Sequence, residues 1–144
     1  MRVPFIVHVP GAEPRRVSQR RSIIDVVPTI LELMKQPAPS GEGFDFISGQ
    51  SLVRDVFMPP GHEPEDRIVF VDMSAGPNNA ERQAFIEGDW KLIASSGRSL
   101  GLYNLAEDPL EQTDRSKDPA LLERVNERFK AFRRELKVVN VRAE

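Results

Sequence analysis

The sequence contains no cysteine, and this absence removes several kinds of chemistry at once. Without thiols the chain cannot form a disulfide framework, a zinc–thiolate site or a cysteine nucleophile. Histidine is nearly as scarce, since only His8 and His62 are present. His8 lies in an apolar run and is expected in the core, whereas His62 lies in a Pro/Gly-rich stretch and is expected in solvent. Two histidines in such different settings do not indicate a metal pair.

Charge and hydropathy exclude two classes of partner. The net charge of −2 gives no basic surface of the kind that nucleic acids require. No apolar run approaches the roughly 20 residues of a membrane-spanning helix, so we expect a soluble chain without a membrane partner. The apolar run at the N-terminus is short, interrupted by proline and not followed by a small-residue cleavage site, so it does not indicate a signal peptide. The sequence leaves the compartment undetermined.

Short catalytic motifs are also missing. The 22 acidic residues are not gathered at Asp-x-Asp or Asp-x-His spacing, which a cation site would favour. There is no Gly-x-Ser-x-Gly sequence and no glycine-rich phosphate loop. From the residues alone we therefore predict no catalytic residue, no metal ligand and no cofactor in this chain.

The first part of the chain has the pattern of an α/β domain. Val3 to Val9 is almost continuously apolar, which is typical of a strand buried on both faces of a sheet. A helix is expected to start after Ser22 as N-cap, with Asp25 near its positive end and with a kink at Pro28. A Pro/Gly/Ser-rich loop follows, and then one or two helical turns over residues 50–57.

The pattern changes after Phe57, where a stretch rich in proline and glycine predicts a domain boundary. Gly88-Asp89 separates two β-branched or aromatic runs, as in a tight hairpin. Asp118-Pro119 has the cap-then-proline order of a helix start. The predicted strands are 67–73, 82–87, 90–95 and a fourth around 100–105. We therefore predict an α+β fold, with residues 1–57 ending an α/β domain and residues 58–144 forming a four-stranded antiparallel sheet packed by a C-terminal helix.

Several short motifs, taken in order, resemble the C-terminal portion of sulfatases of the alkaline-phosphatase superfamily. They are Arg2-Val3-Pro4 with Pro10-Gly11, the Ser22, Asp25, Pro28 and Thr29 helix, Gly49-Gln50-Ser51-Leu52, Trp90-Lys91-Leu92, and Leu102 to Glu111. The resemblance implies that a parent enzyme hydrolyses sulfate esters, with calcium as its metal and formylglycine as its nucleophile. The Cys/Ser-x-Pro-x-Arg motif that supplies formylglycine is absent here. The resemblance therefore transfers no catalytic residue and no metal ligand to this chain, which we expect to be inactive alone.

The resemblance also implies partners and a region close to the substrate. The partners would be the remainder of the sulfatase catalytic domain and a sulfated small molecule or sugar. Asn78, Asn79 and Arg82, in a loop between two strands, are the candidate substrate-proximal residues. A turn that merely connects strands is the alternative explanation for them. Two other functions stay open: a non-catalytic interaction module derived from a sulfatase, and a fragment of a related phosphonate or phosphodiester hydrolase. Because its apolar faces need cover, we expect the isolated chain to self-associate.

Overall fold

The computed structural model describes residues 3–37, 39, 48–59 and 61–136. The chain forms two compact units, Met1–Glu65 and Asp66–Glu144, which we call the N-terminal and the C-terminal unit. The sequence-based boundary lies nearby, after Phe57. No helix among the described residues is long and apolar enough to cross a membrane.

The N-terminal unit is built around two short helices. A 3-10 turn, Ile23–Asp25, leads directly into helix α1, Val26–Leu33, and helix α2 spans Val53–Phe57. Both helices lie where the sequence predicts them. Pro28, where the sequence suggests a kink, is the third residue of α1. The amides of the first turn have no partner within a helix, so a proline there removes no helical hydrogen bond.

The predicted strand at Val3–Val9 does not form within the described residues, where the first strand begins at Val69. This segment is largely exposed, and Ile6 retains 92% of its accessible surface. A strand exists only when a neighbouring strand takes its amide and carbonyl groups, and no described segment pairs with Val3–Val9. Hydropathy therefore indicated a strand that does not form among the described residues.

The C-terminal unit contains the predicted four-stranded antiparallel sheet, in the order β1-β2-β3-β4. Its strands are β1, Val69–Met73; β2, Arg82–Glu87; β3, Trp90–Ser95; and β4, Arg98–Asn104. The Gly88-Asp89 turn joins β2 to β3 as expected, with Gly88 at a φ of 54°. That left-handed conformation is one that glycine adopts without a steric penalty, and it suits the twist of a two-residue hairpin.

Helix α3, Pro119–Glu135, packs on one face of this sheet. It starts as the sequence predicts, because the Asp118 side chain accepts a 3.1 Å hydrogen bond from the Leu121 amide. The register aligns Phe70, Phe85, Leu92 and Leu102 across the four strands. Val125 and Phe129 of the helix join the buried members of that row in the core.

Candidate functional site

The loop between β1 and β2 carries the residues that the sequence marks as substrate-proximal. Gly76 and Asn79 exchange backbone hydrogen bonds of 3.0 and 3.3 Å, which close the loop into a tight turn. The Asn79 amide nitrogen donates to the Ser74 carbonyl at 3.0 Å, so this side chain helps to hold the turn. Asn78 is exposed on the same turn, and Arg82 is the exposed first residue of β2. The structure thus places Asn78 and Asn79 on the loop and Arg82 at the adjoining start of β2, and their contact with a substrate remains a prediction.

The start of α1 is a second cluster of polar residues, and here the side chains are buried. Asp25 and Thr29 are only 2% and 3% exposed. The Asp25 carboxylate accepts hydrogen bonds from the Ser22 amide at 2.9 Å and from the Gln50 amide at 2.8 Å. The Thr29 hydroxyl donates to the Asp25 carbonyl and accepts from the Leu52 amide at 2.9 Å. We call this set of contacts the helix-start lock, because it fixes the segment 50–52 against the first turn of α1.

Gly49 lets the chain approach this helix start closely. Its φ of 97° lies in the left-handed region, and a Cβ atom there would lie 2.5 Å from the Ile24 carbonyl oxygen. Two sequence motifs that are well separated along the chain therefore form a single structure. Sequence reasoning recognised each motif but not their connection, because nothing in the spacing shows which distant amides an aspartate will bind.

An ion pair connects helix α2 with the segment just before the start of α1. The Arg21 guanidinium contacts the Asp55 carboxylate at 2.6 Å, and the two side chains are 13% and 16% exposed. Arg21 also donates to the carbonyls of Arg20 and Glu65. A guanidinium has five donors in a fixed geometry, so one residue can hold three acceptors at once. This contact is structural, and no pattern in the sequence pointed to it.

A further ion pair joins the Trp90-Lys91-Leu92 and Leu102–Glu111 motifs. The Lys91 ammonium donates to both oxygens of Glu111, at 2.7 and 2.6 Å. Lys91 is buried, which is uncommon for lysine unless its charge is paired. Glu111 has a φ of 58°, a conformation that costs a non-glycine residue about 1 kcal/mol or more. The ion pair therefore holds the turn after β4 in a conformation that Glu111 would not adopt by itself.

The segment after this turn covers the free edge of β4. The Leu102 amide donates to Asp114 at 3.0 Å, and the Leu102 carbonyl accepts from the Arg115 amide at 2.7 Å. The amides of Leu102 and Ser116 lower the pKa of the Asp114 carboxyl from its ordinary value, because they favour its charged form. An edge strand with unpaired groups can pair with other chains, and this segment prevents that at Leu102.

These carboxylates do not form a metal centre. Within the ranges that the structure describes, no group of three or more His, Cys, Asp or Glu side chains could hold a metal ion. Asp25 and Asp114 accept backbone amides, and Asp55 and Glu111 neutralise basic side chains. A calcium ion needs several oxygen ligands converging on one point, which this arrangement does not provide.

Comparison with known proteins identifies the fold of this chain but no family. No family model matches the chain, and no curated protein matches it either. Among solved structures, the chain is similar to one described as a 2-O GAG sulfatase, with a TM-score of 0.53 and 21% identity. It is also similar to a putative sulfatase from Bacteroides thetaiotaomicron VPI-5482, with a TM-score of 0.52 and 22% identity. Each match covers 81% of this chain and 27% of the sulfatase chain.

The resemblance predicted from the motifs is thus confirmed at the level of the fold. This chain has the fold of part of a sulfatase and spans about a quarter of the length of the sulfatases it matches. The identities are low, so the match concerns architecture. The activity of a whole sulfatase enters only as a proposal.

Replacing Gly49 with alanine tests the helix-start lock. The matched control is Gly61→Ala, because Gly61 also has a left-handed φ, of 82°, but a Cβ atom added there would have no other atom within 4 Å. We expect Gly61→Ala to lower the free energy of unfolding by about 1 kcal/mol through backbone strain. Gly49→Ala adds a collision with the Ile24 carbonyl and should lower it by about 3 kcal/mol. Urea unfolding followed by circular dichroism measures both, and equal losses would contradict the lock.

Proposed function

We propose that this chain is the C-terminal part of a sulfatase, and that the whole enzyme hydrolyses sulfate esters. The observation that carries the proposal is the structural match to two sulfatases over most of this chain and a limited part of theirs. The order of the sequence motifs supports it, because they extend from Arg2 to Glu111 in the order that sulfatases have. Neither line of support depends on a single residue.

In this proposal the chain completes the fold and carries none of the reacting groups. The helix-start lock and the Lys91–Glu111 pair support a structural role, since their carboxylates already bind amides or an ammonium group. The calcium ion and the formylglycine nucleophile of the parent would be held by residues outside this chain. Among the described residues no group of three or more His, Cys, Asp or Glu side chains could hold a metal ion, and the proposal assigns these residues no catalytic step.

The loop between β1 and β2 would shape the substrate pocket of the parent. A sulfated saccharide is the proposed substrate class, because one similar structure is described as a 2-O GAG sulfatase. The exposed Arg82 can pair with a sulfate group, and the exposed Asn78 can bind sugar hydroxyls. Asn79 would act indirectly, by keeping the turn closed through its hydrogen bond to Ser74.

Hydrolysis of a generic aryl sulfate in the presence of calcium tests the proposed activity. The 144-residue chain should be assayed beside the product of the complete open reading frame that contains it. We expect turnover by the complete product and none by the 144-residue chain. Turnover of an aryl phosphonate or phosphodiester in place of the sulfate would indicate the related hydrolase. Turnover of neither ester by the complete product would favour an interaction module, and turnover by the short chain would contradict our placement of the chemistry.

Arg82→Ala in the complete product tests the pocket-shaping role separately. We expect the KM for a sulfated disaccharide to rise about tenfold, because a charge-assisted contact is lost, while the KM for a small aryl sulfate changes little. Arg98→Ala is the matched control, since Arg98 is also the exposed first residue of a strand of the same sheet. Equal effects of the two substitutions on both substrates would exclude a role for Arg82 in substrate binding.

A further inference from the structure

A polar pocket in the N-terminal unit takes no part in the helix-start lock. Its volume is about 240 Å³, and two separate segments of the chain line it, residues 15–19 and residues 61–64. Pockets that enclose a drug-sized ligand commonly measure roughly 300–1,000 Å³, so this one has room for a single sugar unit or a small anion. We call it the arginine pocket.

The Arg15 side chain joins the two walls of the arginine pocket. Its guanidinium donates to the Met58 carbonyl at 2.8 Å and to the His62 carbonyl at 3.0 Å. These acceptors flank a tight turn, which the His62 amide closes by donating to the Pro59 carbonyl at 3.3 Å. A guanidinium carries five N–H groups, and the described residues accept from only two of those of Arg15. Arg15 is therefore fixed against the turn and still has donors for a ligand.

Two more side chains of the pocket are unengaged. Arg16 is exposed and makes no hydrogen bond or ion pair within the part of the chain that the structure describes, and the same holds for the exposed imidazole of His62. By contrast, the guanidinium groups of Arg21, Arg115 and Arg128 each contact a carboxylate. Guanidinium groups that meet in a concave site without a carboxylate partner favour an anionic ligand.

The pocket also contains acceptors, which narrow the choice of anion. The Gln19 amide nitrogen donates to the Glu63 carboxylate at 2.9 Å and so holds that carboxylate on one wall. Ser18 adds an exposed hydroxyl. A bare inorganic anion would be repelled by the charge of Glu63, whereas a sugar hydroxyl would donate a hydrogen bond to it. The combination favours a ligand that carries an acidic group beside several hydroxyl groups.

We propose that the arginine pocket binds a sugar unit that carries a sulfate group. Arg15 and Arg16 pair with the sulfate, and Glu63 and Ser18 bind the ring hydroxyls. The need for an acidic group follows from the two arginines, whereas the choice of sulfate rests on the proposed function. The pocket adds a second contact with a sulfated saccharide to that proposed for the β1–β2 loop, which belongs to the C-terminal unit.

Ligand titration of the 144-residue chain, followed by residue-resolved NMR, tests this proposal without any hydrolysis. The three ligands are a sulfated disaccharide, the same disaccharide without its sulfate, and sodium sulfate. We expect the sulfated disaccharide to shift the amides of Ser18, Gly61 and His62 in a saturable manner. The other two ligands should bind about tenfold more weakly, because each lacks one of the two kinds of group that the pocket recognises.

Substitutions on the pocket wall separate its two kinds of contact. Arg16→Ala should weaken binding of the sulfated disaccharide about tenfold, since a charge-assisted contact is lost. Arg124→Ala is the matched control and should leave the affinity unchanged, because Arg124 is an exposed residue of α3 that makes no ion pair among the described residues. Glu63→Ala should weaken the disaccharide by removing an acceptor and tighten sodium sulfate by removing a repulsion.

Unshifted amides at the pocket would overturn the proposal. Equal affinity for sodium sulfate and the sulfated disaccharide would also overturn it, because the pocket would then hold an adventitious ion only. Equal losses from Arg16→Ala and Arg124→Ala would contradict it by showing attraction to net charge alone. Sulfate-ester hydrolysis by the complete product without binding here overturns only the pocket, and binding here without that hydrolysis overturns only the proposed function.

Discussion

Backbone amides that no helix or strand can satisfy are the constraint on which this structure depends. A buried amide without an acceptor costs as much as a lost hydrogen bond, so each must find one. In the N-terminal unit, Asp25 and Thr29 accept the amides of Gln50 and Leu52. In the C-terminal unit, Asp114 accepts the amide of Leu102, which points away from β3 at the edge of the sheet. These side-chain acceptors thereby hold irregular segments against the regular elements beside them.

The same constraint explains why the buried carboxylates of this chain have structural roles. A carboxylate that already accepts two amides, as Asp25 does, is poorly placed to serve as a metal ligand or a general base. The sulfatase-like motifs of this chain therefore explain the fold that it shares with sulfatases, without requiring an active site here.

Local signals in the sequence predicted the C-terminal unit well. The Gly88-Asp89 turn fixed one hairpin and Asp118-Pro119 fixed the start of α3, since both depend on neighbouring residues alone. Features that depend on distant residues were missed, including the lock and the Lys91–Glu111 pair. Val3–Val9 was predicted as a strand from its hydropathy, but pairing requires a partner that the described residues lack. The placement of Asn78 on the β1–β2 loop and of Arg82 at the start of β2 followed from the predicted strands, whereas their role in substrate binding stays a prediction.

Amide hydrogen exchange, resolved by NMR, tests most directly whether side-chain oxygens hold this structure together. The account predicts that the amides of Leu52 and Leu102 exchange far more slowly than in the unfolded chain, although neither donates to another strand or helix backbone. It further predicts that Thr29→Val, which removes one acceptor, releases the Leu52 amide and leaves the Leu102 amide protected. Exchange of both amides at unfolded-chain rates in the unsubstituted protein would contradict it.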